Sequence, residues 1–171
     1  SWRGVCGDRG VVGDAVPGET WGRGLRFGWV PVAEGIYWFA VADAPEGRAD
    51  AGDPREGLRA HFKGWHAPVD ALIDATAADH VVRTDIHDRP PLTAWGRGRV
   101  TLLGDAAHPM TPNLGQGACQ AVEDAVVLAR ELARDATSEG LRRYEAARIP
   151  RTTRVVNEAW RFGKLGQLAN P

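Results

Sequence analysis

The feature that most constrains this chain is one uninterrupted passage, Arg99 to Arg134. Arg99-Val100-Thr101-Leu102-Leu103 predicts a short buried-type strand, and it runs directly into Gly104-Asp105-Ala106-Ala107-His108. A Gly-containing loop follows from Pro109 to Gly117. Ala118 to Arg134 then reads as a long amphipathic helix with Val122, Ala125, Val126, Ala129 and Leu132 on one face. Strand, loop and helix in that order place Asp105 just past a strand end, where α/β sheets present ligand-binding residues. Gly115 and Gly117 stand at the helix start, where unpaired N–H groups and the helix dipole favour an electron-rich group. Spacing alone leaves open a plain reading in which the glycines only shape a loop and Asp105 pairs locally.

Upstream, the residues predict a β-rich region. Strands are expected at Trp2–Val5, Gly10–Val12, Leu25–Val32 and Ile36–Ala42, the last two joined by Ala33-Glu34-Gly35 as a hairpin. Residues 44–52 read as a loop. Asp53-Pro54-Arg55-Glu56 is a helix start with Asp53 as N-cap, Pro54 first in the helix and Glu56 reaching back. Leu58, Phe62 and Trp65 recur at helical spacing. Val69, Leu72 and Ile73 mark a second short helix, and Val81–Ile86 alternates like a returning strand. The last helical stretch opens near Ser138, is expected to break at Pro150, and resumes through Val155, Val156 and Trp160.

Composition narrows the classes of function. With 171 residues, 43% of them hydrophobic and 25% charged, the chain has the material for a real core. A net charge of −1, with both signs mixed along the sequence, argues against nucleic acid or an anionic lipid surface as partner. Cys6 and Cys119 form no CxxC pair and fit a reducing cytoplasm. No run is long enough to span a bilayer. The start at Ser1, without Met or leader, suggests a processed chain or a missing front half. A hydrolase is disfavoured because Ser1 and Ser138 are the only serines and neither sits in a Gly-x-Ser-x-Gly elbow. The five histidines show no HExxH or comparable spacing, so no metal site is expected.

Residues 98–125, Gly-Arg-Val-Thr-Leu-Leu-Gly-Asp-Ala-Ala-His-Pro-Met-Thr-Pro-Asn-Leu-Gly-Gln-Gly-Ala-Cys-Gln-Ala-Val-Glu-Asp-Ala, resemble the second flavin-binding motif of the para-hydroxybenzoate hydroxylase-like flavin monooxygenases. Phe62–Val69 with Leu72-Ile73, Asp88-Arg89-Pro90 and Tyr144-Glu145-Ala146-Ala147-Arg148 resemble the branch containing zeaxanthin epoxidase and the urate and salicylate hydroxylases. The implied fold is α/β in the mixed α+β sense. Residues 1–88 would form part of a mixed β-sheet substrate domain, and 89–171 the C-terminal part of a Rossmann-like FAD-binding domain. The implied function is oxygen insertion from O2 into an aromatic or olefinic small molecule, with FAD as cofactor and NAD(P)H as electron donor. A diverged, non-catalytic binding module of the same shape is the alternative.

By the same resemblance, Asp105 would accept hydrogen bonds from the ribityl or ribose region of FAD. Gly115, Gln116, Gly117 and Ala118 would approach the flavin edge and pyrophosphate through backbone N–H groups, with Pro112 near the ring face. His108 is expected to be structural, Cys119 and Gln120 to pack or cap, and Glu123 and Asp124 to pair on the helix surface with Arg130 or Arg148. Phe27, Trp29, Trp38 and Phe39 are candidate substrate walls. The family's Gly-x-Gly-x-x-Gly unit and its middle Asp-Gly motif are absent from this sequence. Gly22-Arg23-Gly24-Leu25-Arg26-Phe27 matches the spacing only in part and leads into a strand.

Overall fold

The structure, a computed structural model, describes residues 1–47 and 52–168. Part of the loop expected at 44–52 therefore lies outside the described residues. The chain divides into two compact units, one of residues 1–85 with 166–171 and one of residues 86–165.

The first unit is a five-stranded sheet in the order β2-β3-β4-β1-β5. Its strands are β1 (Trp2–Cys6), β2 (Gly18–Trp21), β3 (Leu25–Val32), β4 (Gly35–Ala42) and β5 (Val82–Arg83). Helices α1 (Pro54–Phe62) and α2 (Val69–Ala75) cover one face. The fold class holds, although every pairing among the described residues is antiparallel, so the sheet in this chain is not mixed. The hairpin forms where the aromatic runs predict it, with Val32 opposite Gly35 and a turn of Ala33 and Glu34.

Three local expectations are corrected. Arg9–Val12 is a 3₁₀ turn and not a strand, because the Asp8 carboxylate accepts from the Gly10 N–H at 2.8 Å and curls the chain. The returning strand is only Val82–Arg83, pairing with Arg3 and Trp2. Asp53 does cap α1, accepting from Arg55 N–H at 2.9 Å, but the side chain paired with it is Arg55, whose guanidinium donates to the Asp53 carboxylate at 2.7 Å, and not Glu56. That guanidinium holds the Asp53 carboxyl down at about 2.

Strand alternation sorts the aromatic side chains. Phe27, Trp29, Ile36, Trp38 and Ala40 join Leu58, Phe62, Leu72 and Ile73 in the core beneath the helices. Trp38 donates its indole N–H to Thr76 Oγ1 at 2.8 Å, which satisfies the single polar atom buried with that ring. Residues near the chain end also belong to this unit: Gln167 accepts from Arg26 Nε at 2.9 Å and donates to the Gly24 carbonyl at 3.1 Å.

The second unit is built on α3 (Gly117–Arg134) and on α4 (Ser138–Gly166), whose residues through Leu165 lie in it. Against expectation α4 runs through Pro150 without a break. Tyr144, Arg148, Thr152, Val155, Val156 and Ala159 form one buried stripe at helical spacing, and packing along it outweighs the roughly 3 kcal/mol that an interior proline costs. Residues 101–103 are not a ladder strand here. Leu103 is extended, at φ −145° and ψ 148°, but the segment has no neighbouring strand among the described residues, and Leu102 N–H bonds instead to the Trp95 carbonyl at 3.1 Å.

Candidate cofactor site

The site is built at the N-terminus of α3. Gly104 adopts φ +60° and opens a 3₁₀ turn, Gly104–Ala106, whose middle residue is Asp105. The Gly104 carbonyl accepts from both Ala107 N–H at 2.8 Å and His108 N–H at 2.9 Å, and Arg89 donates to the Ala106 and Ala107 carbonyls. This fixes the turn from two sides and leaves the Asp105 side chain exposed. The Asp105 carboxylate oxygen lies 4.0 Å from the point where a Cβ on Gly117 would stand. Asp105 and the helix start are thus brought together, as expected.

The loop between them is shaped by Thr111, a short 3₁₀ turn at Pro112–Leu114, and Gly115 at φ +62°, ψ 20°. Only glycine takes that left-handed conformation freely, and space around it is open. Asn113 pins the loop to α4 by donating to the Ala159 carbonyl at 3.1 Å and to Thr111 Oγ1 at 2.8 Å. The fit depends on Gly163, since a Cβ there would lie 2.0 Å from Asn113 Nδ2.

The residues present fit an electron-rich cofactor group at this point. Helix α3 starts with Gln116 as N-cap, makes no side-chain capping bond, and carries no acidic residue in its first turn. Its first N–H groups therefore remain available to an outside acceptor, whereas α1 closes its own with Asp53. Pro112, Gly115 and Ala118 are exposed, and Gln116 and Gly117 are half-buried.

Behind this surface lies a buried polar network that sequence reasoning placed wrongly. Asp124 is not a surface residue; it is fully buried, and its carboxylate accepts from Gly104 N–H at 3.0 Å and Arg148 Nε at 2.6 Å, and meets His108 Nε2 at 2.6 Å. Arg148, also buried, donates to Glu123 at 2.6 Å and to the Gln120 side chain at 2.8 Å. Burial alone would raise the Asp124 carboxyl, but the bonds from His108, Arg148 and Gly104 outweigh it and hold the group below its ordinary value. Glu123 does pair with Arg148, and with Arg151, which together bring it down to about 2. Burial first, and the Asp124 charge second, raise the Tyr144 phenol. His108 is structural as expected, buried beside Trp95 with ring centroids 5.4 Å apart. The signal for this network was present as Gln120 and Asp124 standing one helical turn apart on one side of α3.

The substrate-wall set does not hold together. Phe27, Trp29 and Trp38 are 2%, 5% and 0% exposed and lie in the core under α1 and α2. Alternation sends Phe39 to the opposite face of the sheet, where its ring lies over Gly28 and tilts against Tyr37 at 6.5 Å. On that face Arg3, Val5, Tyr37 and Val82 line an open hollow of about 550 Å³.

Comparison with known proteins agrees with this geometry. The family described as FAD binding domain matches residues 15–159. The chain belongs to this family. The chain is 54% identical over 172 residues to aurachin C monooxygenase/isomerase of Stigmatella aurantiaca, covering 99% of this chain and 45% of that protein. It is 46% identical over 125 residues to zeaxanthin epoxidase of Solanum lycopersicum, covering 66% of this chain and 19% of the other. The structure of Klebsiella pneumoniae HpxO with FAD and uric acid superposes with a TM-score of 0.89 at 37% identity, over 97% of this chain and 44% of HpxO. The resemblance to flavin monooxygenases read from residues 98–125 is thereby borne out. The chain spans less than half the length of these relatives. No helix among the described residues is long and apolar enough to cross a membrane.

Proposed function

We propose that this chain forms the flavin-facing and substrate-facing portion of an FAD-dependent monooxygenase that uses NAD(P)H and O2 to oxygenate an aromatic or olefinic small molecule. The observation that carries the reading is the convergence of Asp105 with the uncapped start of α3, on a surface that the Asp124 network holds from behind. The monooxygenase and epoxidase names of the relatives support the reaction class.

FAD, when bound, supplies the electron transfer and oxygen activation. Asp105 accepts from ribityl or ribose hydroxyls and fixes the cofactor's position along the turn. The N–H groups of Gln116, Gly117 and Ala118 donate toward the ring edge and pyrophosphate, where fixed donors stabilise negative charge without reorganising. Pro112, exposed at the start of its 3₁₀ turn, would face the ring of a bound flavin. Val5, Tyr37 and Val82, which line the hollow on the sheet face that also carries Phe39, form the apolar wall for the substrate in place of the buried Phe27, Trp29 and Trp38. A hollow of this size suits a small aromatic ligand.

The test is FAD occupancy. In a protein of the relatives' length carrying these residues, Asp105→Ala lowers FAD affinity by about 10- to 100-fold, the loss of a hydrogen bond to a charged acceptor. Unchanged occupancy overturns the assignment. The 171-residue chain alone is expected to quench flavin fluorescence weakly or not at all. Monitoring NAD(P)H oxidation together with the oxygenated product separates catalysis from uncoupled oxidation.

A further inference from the structure

The acidic side chains of α3 are taken up by its own Arg130 and by the first part of α4. Glu131 pairs with Arg130 and Arg143, and Asp135, just past the helix, pairs with Arg143 as well. Glu123 meets Arg148 and Arg151, and buried Asp124 meets Arg148. Within α4, Glu145 pairs with Arg142. Beyond Arg151 the helix carries three more cations, Arg154, Arg161 and Lys164, all exposed. None of these three forms an ion pair among the described residues.

Apolar side chains stand between those charges. Arg154, Asn157, Arg161 and Leu165 follow one line along α4 at steps of three and four residues, with Trp160 and Lys164 beside it. Trp160 is 48% exposed and Leu165 56%, and Lys164 Nζ lies 4.5 Å from the centroid of the Trp160 ring. That ammonium has an aromatic face and no carboxylate beside it. Glu158 is the single acidic residue between 154 and 165, so three cations face one carboxylate. Val155, Val156 and Ala159 turn the other side of the helix into the interior of the unit.

We propose that this face of α4, from Arg154 to Leu165, docks on an anionic lipid surface. Charge complementarity selects the occupant. Basic side chains interleaved with an exposed tryptophan and leucine match a layer of phosphate headgroups above an acyl boundary, the long lysine and arginine stems reaching back to the charged layer. A nucleic acid would engage the cations through its phosphates and leave Leu165 in water. The net charge of −1, which argues against an anionic surface, is an average over the chain. Pairing in the fold neutralises the first part of α4 and leaves the excess of positive charge on its last three turns. No described helix can cross a membrane, and this contact needs none that does. Docking of this kind is independent of FAD binding, and the two fail separately.

Sedimentation with vesicles tests this, using phosphatidylcholine with a minor part of phosphatidylserine against phosphatidylcholine alone. The 171-residue chain and a protein of the relatives' length carrying it are both measured. Both should pellet with the mixed vesicles and not with the neutral ones, and binding should fall as salt is added. The double variant Arg161→Gln/Lys164→Gln should partition about 10- to 30-fold more weakly, each basic side chain near such a surface counting for roughly a factor of five. Trp160→Phe should lose most of the blue shift of indole emission that mixed vesicles induce in the parent. These positions are exposed, so far-UV circular dichroism of the variants should match the parent, and Arg23→Gln, exposed in the first unit, should bind normally. Failure of either protein to bind the mixed vesicles overturns the proposal, as does equal binding by the double variant or equal binding to neutral vesicles. Retention on duplex DNA with no vesicle binding assigns the cations to nucleic acid and also overturns it. Vesicle binding by a protein of the relatives' length that takes up no FAD upholds the docking face and refutes the cofactor reading. FAD binding without vesicle binding does the reverse.

Discussion

Replacing Asp124 with alanine tests the scaffold behind the site. In the parent the fully buried carboxylate meets Gly104 N–H at 3.0 Å, His108 Nε2 at 2.6 Å and Arg148 Nε at 2.6 Å. Asp124→Ala leaves the Gly104 N–H without an acceptor and removes one of two carboxylates from a guanidinium whose side chain is 4% exposed. Breaking a buried ion pair from one side costs about 3–5 kcal/mol. Arg148 keeps Glu123 at 2.6 Å and Gln120 at 2.8 Å, which places the expected loss near the lower end of that range. Domains of this size have on the order of 5–15 kcal/mol in hand. With a urea slope of about 1–3 kcal/mol per molar, a loss of about 3 kcal/mol moves the midpoint down by roughly 1–3 M. Urea denaturation followed by circular dichroism and indole emission reads this directly, Trp95 lying beside His108. Asp124→Asn, which keeps an acceptor oxygen but no charge, should fall between the two. A midpoint for Asp124→Ala within about 0.3 M of the parent would refute the view that this network holds the turn carrying Asp105.

Acid should weaken the same region: Glu123 and Asp124 have lowered values in the folded chain, so their stabilisation is complete above their unfolded values near 4 and is lost as pH falls through their folded values, about 2 for Glu123 and below the ordinary carboxylate range for Asp124. Acid titration of Glu123→Gln should show a shallower loss of stability across that window than the parent. Gly163→Ala would ordinarily strengthen a helix by about 1 kcal/mol, yet here it should displace Asn113 and weaken FAD binding in the full-length context; flavin titration with a thermal melt checks both signs. Thr76→Val leaves the buried Trp38 indole N–H without its acceptor and should cost about 1–3 kcal/mol in a denaturant melt.

Local chemistry accounts for what was legible in the residues. The hairpin at 33–35, the Asp53-Pro54 helix start and the glycines at 115 and 117 depend on backbone geometry and nearest neighbours, and each stands where its sequence signal lies. The flavin-binding motif is contiguous, so its residues needed no fold to be brought together. Apart from the local turn that Asp8 makes at Arg9–Val12, the errors in the elements arose where partners come from distant segments. Proline at 150 argues for a break, but a stripe of buried contacts keeps α4 whole. Residues 99–103 have the composition of a strand, and a strand is defined by neighbours that these described residues do not supply.

By itself the sequence determined the family, the β3–β4 hairpin and the places of α1, α2 and α3, because those properties are written in contiguous residues. Tertiary structure alone decided which way the side chains point. It put Phe27, Trp29 and Trp38 under the helices and Phe39 on the open face, since strand register sets the face and sequence sets only the alternation. It also turned the polar side of α3 inward, where Asp124 meets Arg148 from 24 residues away and His108 from 16. The apolar side of that helix, which composition would assign to a core, is the side left exposed.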